Sequence, residues 1–245
     1  MHTITDWPAI RHTPPLVSAQ SLATLQAGSA AVALAATPRL YLDNRYYRDG
    51  HAGTRPQIYL RAAVAQQLQA ALQLLPANLG LWLFDGWRSR DTQAALFSQI
   101  HAGLRAQYPA WSEAQLLAET RKFVAHPHDA GRFPVMPHLS GGAVDVAIFR
   151  LDSGELLDFG TAFDAAEAAS QTDYFEQDAD TDSRFSAARW LQVRQHRRLL
   201  FGVMQTAGFS NYHEEWWHYD LGDCLWAEAS GSDWYYPAMS PDSDS

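Results

Sequence analysis

The 245-residue chain has a single cysteine and a single lysine. Cys224 has no partner for an intramolecular disulfide and cannot assemble a thiolate metal site alone, which excludes a disulfide scaffold and a cysteine-based zinc module. Its thiol reads as a packed bystander. Lys122 stands alone, and 18 basic residues face 27 acidic ones for a net charge of −9. With no basic run to neutralise phosphates, nucleic acid is not an expected partner. Apolar stretches are broken by polar residues well short of membrane-spanning length, so no membrane partner is expected either. No basic segment followed by an apolar core opens the chain, so no secretory signal is visible and a cytoplasmic location is expected. What remains is a 47% apolar composition at a length suited to one well-packed domain.

Residues 1–37 read as an N-terminal arm, 38–229 as the folded domain, and 230–245 as a flexible tail. Arg39–Asp43 reads as a short strand. Apolar residues at helical spacing from Tyr59 to Leu75, ended by Pro76, predict a helix. Leu79–Phe84 and Ala143–Phe149 predict strands from their length and apolar content. Further helices are predicted over Asp91–Arg105, Ser112–Val124 (opened by a capping box) and Ala187–Gly208. A loop is expected from His126 to Gly142, an acidic excursion over 170–185, and a strand at Trp216–Tyr219. Helices clustered early and late around a few strands favour an α+β fold: one domain, a small mostly antiparallel sheet flanked by helices, and the site in a central cleft.

Two separated segments carry the chemistry. In the first, His138 is followed by Gly141-Gly142 and then by Asp145 inside an apolar run, where a lone carboxylate is costly to bury unpaired. A metal ion or an arginine would remove that cost. In the second, Glu215 and His218 are three residues apart, a spacing that shares a face on a helix but not on a strand. A common site on a strand therefore requires a bulge, a twist or the strand end. Spacing does not separate Glu214 from Glu215, or His213 from His218. Two imidazoles and a carboxylate form a three-ligand set that leaves a zinc ion one open position for water, and another carboxylate nearby is suited to general-base work. Asp85-Gly-Trp-Arg88 closes the apolar strand at a position from which an arginine can reach a neighbouring cleft, where it would meet an oxyanion in a zinc hydrolase, or else serve as a surface arginine or carboxylate partner. His126, His128 and Asp129 read instead as solvated loop, and Trp226, Trp234 and Tyr235 as packing residues.

Taken in order, these pieces resemble the D-alanyl-D-alanine dipeptidase (VanX-like) branch of the zinc peptidases, peptidase family M15, over about residues 40–225. His138 to Asp145 is similar to the family's first histidine–aspartate motif, Glu215-Trp-Trp-His218 to its Glu-x-x-His motif, and Asp85–Arg88 to its arginine-bearing strand end. A fourth similarity runs from Gly154 to Asp164. The resemblance implies His138, Asp145 and His218 as ligands of one zinc ion per chain, Glu215 as general base and Arg88 as oxyanion stabiliser. It also implies Asp164 as the partner of the substrate's free amino group and, as substrate, a small dipeptide, D-Ala-D-Ala, of the kind released in peptidoglycan turnover. Glu215 is thereby preferred to Glu214. Met136 departs from the pattern, standing where the family has a serine, and Tyr41 is the candidate for its substrate-contacting tyrosine. Rival readings are a D,D-carboxypeptidase acting on longer muropeptides and a non-catalytic zinc-containing binding module.

Overall fold

The computed structural model of the chain describes residues 7–128 and 134–242; the first six residues of the expected arm, the last three of the expected tail, and Asp129 lie outside the described residues. Helix α1 (Ala19–Ala27) starts at Ser18, whose hydroxyl accepts the Ser21 amide at 3.0 Å. Strand β1 (Ala31–Ala33), strand β2 (Leu40–Leu42), the one-turn helix α2 (Arg45–Arg48) and strand β3 (Tyr59–Arg61) follow. Because β3 pairs antiparallel with β1, the long helix α3 (Ala62–Leu74) begins three residues later than its apolar spacing predicts. It ends where Pro76 forces Leu75 into extended backbone, and the Arg39 guanidinium caps its last carbonyls at Leu72 and Leu75, both 3.1 Å away.

The second half supplies β4 (Leu79–Asp85), α4 (Arg90–Gln107), α5 (Glu113–Phe123), a helical turn α6 (Pro137–Ser140), β5 (Ala143–Arg150), α7 (Ala187–Thr206), β6 (Ser210–Asn211), β7 (His218–Asp220) and α8 (Cys224–Ser230). The capping box expected at Ser112 opens α5. Five strands form one sheet in the order β2-β4-β5-β7-β6, with only the β2–β4 pair parallel. The protein is α+β, as expected. Leu79, Leu81, Leu83, Val144, Val146 and Ile148 lose all contact with solvent, each burial worth about 1.5–3 kcal/mol. Helices α3 and α7 pack together over this core, while α4 and α5 form a second layer beside Tyr46.

Three further expectations are corrected. His138 sits on the α6 turn rather than in open loop, because Pro137 at the first helical position and Gly141 past the last one bracket a single turn. The Trp216–Tyr219 strand is shorter than its aromatic content suggests and begins only at His218. Part of the expected flexible tail is packed: Tyr236 is fully buried with its hydroxyl donated to Leu25 O at 2.7 Å, and the Met239 amide donates to Leu139 O at 2.8 Å. In the acidic excursion, Phe175 and Phe185 gather around Trp190, so apolar side chains anchor a segment whose composition reads as loop. No helix among the described residues is long and apolar enough to cross a membrane.

Candidate active site

Sheet register assembles the site. A β-bulge between Leu83 and Asp85 shifts β4 by one residue, so Asp85 rather than Phe84 lies opposite Asp145. Asp145 in turn lies opposite His218 on β7. Side chains directly opposite in an antiparallel ladder share a face and nearly touch. The result is a row of Asp85, Asp145 and His218 across one end of the sheet. His138 reaches the same row from α6, whose end requires Gly141 at φ +76°; a Cβ there would also strike Met239 Sδ at 2.6 Å.

All three expected metal ligands are buried and converge. His138 Nε2 lies 3.2 Å from His218 Nδ1 and 3.4 Å from Asp145 Oδ2, and His218 Nδ1 lies 3.1 Å from Asp145 Oδ1. The remaining ring nitrogens are engaged outside the cluster. His138 Nδ1–H donates to Gly86 O at 2.7 Å, and His218 Nε2–H donates to Asp220 Oδ1 at 2.8 Å. Those bonds select the tautomers that leave a lone pair on each inward nitrogen. The cluster could hold a metal ion. Burial alone would raise the Asp145 carboxyl, but the charge and hydrogen bonds of His138 and His218 in their protonated forms outweigh it and hold the group well below the usual carboxylate range.

Glu215 occupies the turn just before β7, with its carbonyl accepting the His218 amide at 3.2 Å and its carboxylate 3.8 Å from His218 Nδ1. The strand end thus resolves the three-residue spacing. Burial, reinforced by the negative charges of Asp145 and Asp164, pushes the Glu215 carboxyl up to about 8. Glu214 points away to Gln171 Nε2 at 3.0 Å, and His213 faces Asp173 rather than the cluster. Geometry separates what spacing left open.

Arg88 is held from several sides. Nε donates to Asp85 Oδ2 at 2.8 Å, Nη1 to Gln93 Oε1 at 3.1 Å, and Nη2 to Asp145 Oδ2 at 3.4 Å and Tyr46 Oη at 3.3 Å. Tyr46 Oη itself donates to Asp164 Oδ2 at 2.7 Å. Asp164 adopts a left-handed backbone, φ +62°, which is uncommon outside glycine and recurs where function holds strain. Although the residue as a whole is exposed, its carboxylate lies in the cleft wall; lost hydration and the Asp145 charge push it up to about 6. Tyr41 is not in the site. It lies 44% exposed on β2 with its ring tilted against Trp82, centroids 4.0 Å apart, whereas Tyr46 faces Arg88 and Asp164.

Several supporting residues were missed from the sequence, since only contacts across the fold mark them. Asp220, two residues after His218, orients that imidazole; alternation along a strand was the one available clue. Arg61 staples the His138 turn through Ser140 O at 2.8 Å and the C-terminal segment through Pro237 O at 2.7 Å. Arg197, fully enclosed on α7, donates to Phe159 O at 2.9 Å, Ala169 O at 2.8 Å and Gln171 O at 2.6 Å, fixing the loop that carries Asp164. The Cys224 thiol is pushed up to about 12, by burial first and then by Asp223, and donates to Val135 O at 3.0 Å; it is inert packing. Met136 caps α6 without a side-chain hydrogen bond.

His138, Asp145, His218, Glu215, Arg88, Tyr46 and Asp164 line a cleft of about 890 Å³ that also includes Met136, Phe163 and Trp217. Residues 48–235 match the family model Peptidase_M15, described as D-ala-D-ala dipeptidase. The chain belongs to this peptidase family. It is 29% identical over 202 residues to a D-alanyl-D-alanine dipeptidase of Synechocystis sp., spanning 78% of each chain. A D-alanyl-D-alanine dipeptidase of Enterococcus faecalis is 29% identical over 167 residues, 66% of this chain and 72% of its own. One from Streptomyces coelicolor is 34% identical over 186 residues, 74% and 76% of the two chains.

Proposed function

We propose that this protein is a zinc-dependent dipeptidase that hydrolyses D-Ala-D-Ala to two D-alanines, acting in the cytoplasm through a catalytic unit spanning residues 38–229. The observation that carries this reading is one cleft that holds the His138, Asp145 and His218 cluster together with a separate carboxylate, Asp164. The donor set fits zinc: two imidazoles with inward lone pairs and one ionised carboxylate. Further carboxylates crowd the cluster, Asp85 at 3.6 Å from His138 Nδ1 and Glu215 at 3.8 Å from His218 Nδ1, a setting that favours a cation.

A bound zinc ion would supply Lewis-acid polarisation of the scissile carbonyl and a more acidic water. In its ionised form, which a neighbouring cation favours, Glu215 accepts the proton of the attacking water at its carboxylate and returns it to the leaving amine. Arg88, kept cationic by Asp85 and Asp145, donates to the oxyanion as charge develops there. Asp164, oriented by Tyr46, pairs with the substrate ammonium. Blocking that ammonium would leave the Asp164 carboxylate uncompensated, which selects for free dipeptides over chain interiors.

A second reading, removal of a terminal D-Ala from longer muropeptides, is favoured by one observation: the cleft lies toward the upper end of the roughly 300–1,000 Å³ that holds drug-sized ligands. Amine release from D-Ala-D-Ala, L-Ala-L-Ala and N-acetyl-D-Ala-D-Ala by the zinc-loaded protein separates the readings. Cleavage of the first alone is expected. Cleavage of the acetylated compound would transfer the assignment to the carboxypeptidase, and inactivity on all three to a binding module.

A further inference from the structure

A second group of metal-binding side chains lies outside the cleft. His12 of the arm, Asp173 and His213 place one ligand atom each within 4.8 Å of one another. His213 Nε2 lies 3.0 Å from Asp173 Oδ1, while its Nδ1 lies 3.3 Å from Glu214 Oε1. Glu214 is itself held by Gln171 Nε2 at 3.0 Å. The His12 ring packs edge-on between Phe201 at 5.4 Å and His213 at 5.1 Å.

A hydrogen bond accounts for the Asp173–His213 pair alone. It does not account for a second imidazole brought from the opposite end of the chain against the same pair. Nor does it account for the Glu214 carboxylate behind His213, which favours the tautomer with the proton on Nδ1 and so leaves Nε2 to a metal in place of the Asp173 hydrogen bond. The catalytic cluster has the same construction in His218 and Asp220. We propose that His12, Asp173 and His213 form a second zinc site, its three ligands outside the cleft, in which Glu214 orients His213. Two imidazoles and one carboxylate suit a late first-row divalent ion, and water completes the shell because His12 is exposed and the other two are half-buried. The bound ion ties the arm and the Asp173 loop to the turn that leads into Glu215; the His213 carbonyl already accepts the Thr172 amide at 2.9 Å. Partial exposure makes this the weaker site.

The test is zinc stoichiometry on the full-length, metal-stripped chain by equilibrium dialysis, with circular dichroism to verify folding. Two equivalents are expected, the weaker one lost in His12→Ala and His213→Ala and kept in His218→Ala. The thermal midpoint should rise across the second equivalent in the parent and stay flat in His12→Ala. Because His12 is exposed, its substitution leaves the core intact, which protects the test if His213→Ala misfolds. A zinc complement unaffected by His12→Ala overturns the proposal. An equivalent lost in His12→Ala but not in His218→Ala upholds it even if the cleft binds no metal.

Discussion

The cluster of His138, Asp145 and His218 and the cluster of His12, Asp173 and His213 use the same donor types on different supports. The first is built on adjacent strands: register sets Asp145 beside His218, a bulge adds Asp85, and the outer ring nitrogens are engaged by Gly86 and Asp220. The second joins an arm, a loop and a turn, and only His213 has a carboxylate behind it. Only the first is faced by a glutamate, an arginine and a separate carboxylate in a cleft. A ligand set alone makes a metal site; catalysis needs the groups around it, and affinity needs the groups behind it.

The largest expected effect separates catalysis from binding in the buried cluster. Glu215→Gln should lower kcat by about 10²–10⁴-fold while zinc content, read by atomic absorption, stays at the parent level. Near-normal turnover would remove Glu215 from the mechanism. Arg88→Ala should follow, with a loss of about 10²–10³-fold in kcat for a missing oxyanion donor; a change confined to KM would make it a binding group instead. Asp220→Asn attacks the support. Zinc affinity of the buried cluster, measured by competition with a chelator, should fall by about 10–100-fold and approach that of the exposed one.

Asp164 gives a smaller, pH-dependent effect. Its carboxyl is raised from 3.8 to about 6 by burial, so the ionised form that pairs with an ammonium is lost as pH falls through about 6. The kcat/KM for a free dipeptide should drop over that range, and Asp164→Asn should flatten the profile. The sign for stability is opposite. The folded chain binds this proton more tightly than the unfolded chain, so stability is lost as pH rises through about 6, and Asp164→Asn should stabilise the protein at neutral pH in a thermal melt. Smallest of all, Met136→Ser should lower KM by about two- to tenfold, the worth of one neutral hydrogen bond.

Much of the catalytic side of this comparison was legible beforehand, because its residues lie in short motifs at strand ends. His138, Asp145, His218, Glu215, Arg88 and Asp164 were all named from the chain, and all meet in one cleft. The misreadings have physical causes. Helical spacing runs through Tyr59–Arg61, so pairing with β1 could not be foreseen. Polar composition hid the packing of Tyr236 and Met239, whose burial depends on surfaces distant in sequence. Tyr46 outranks Tyr41 only because α2 turns it toward Arg88 and Asp164.

The sequence by itself determined the longer helices and the two central strands, the donor chemistry and the absence of a cysteine-based site, since these follow from residue identity and local spacing. Tertiary structure alone decided that Glu214 turns to Gln171 while Glu215 stays beside His218, that Asp85 rather than Phe84 stands beside Asp145, and that His12 meets His213. Register and long-range packing set those choices. A one-residue shift on a strand exchanges the two faces of the sheet, and no local propensity encodes it.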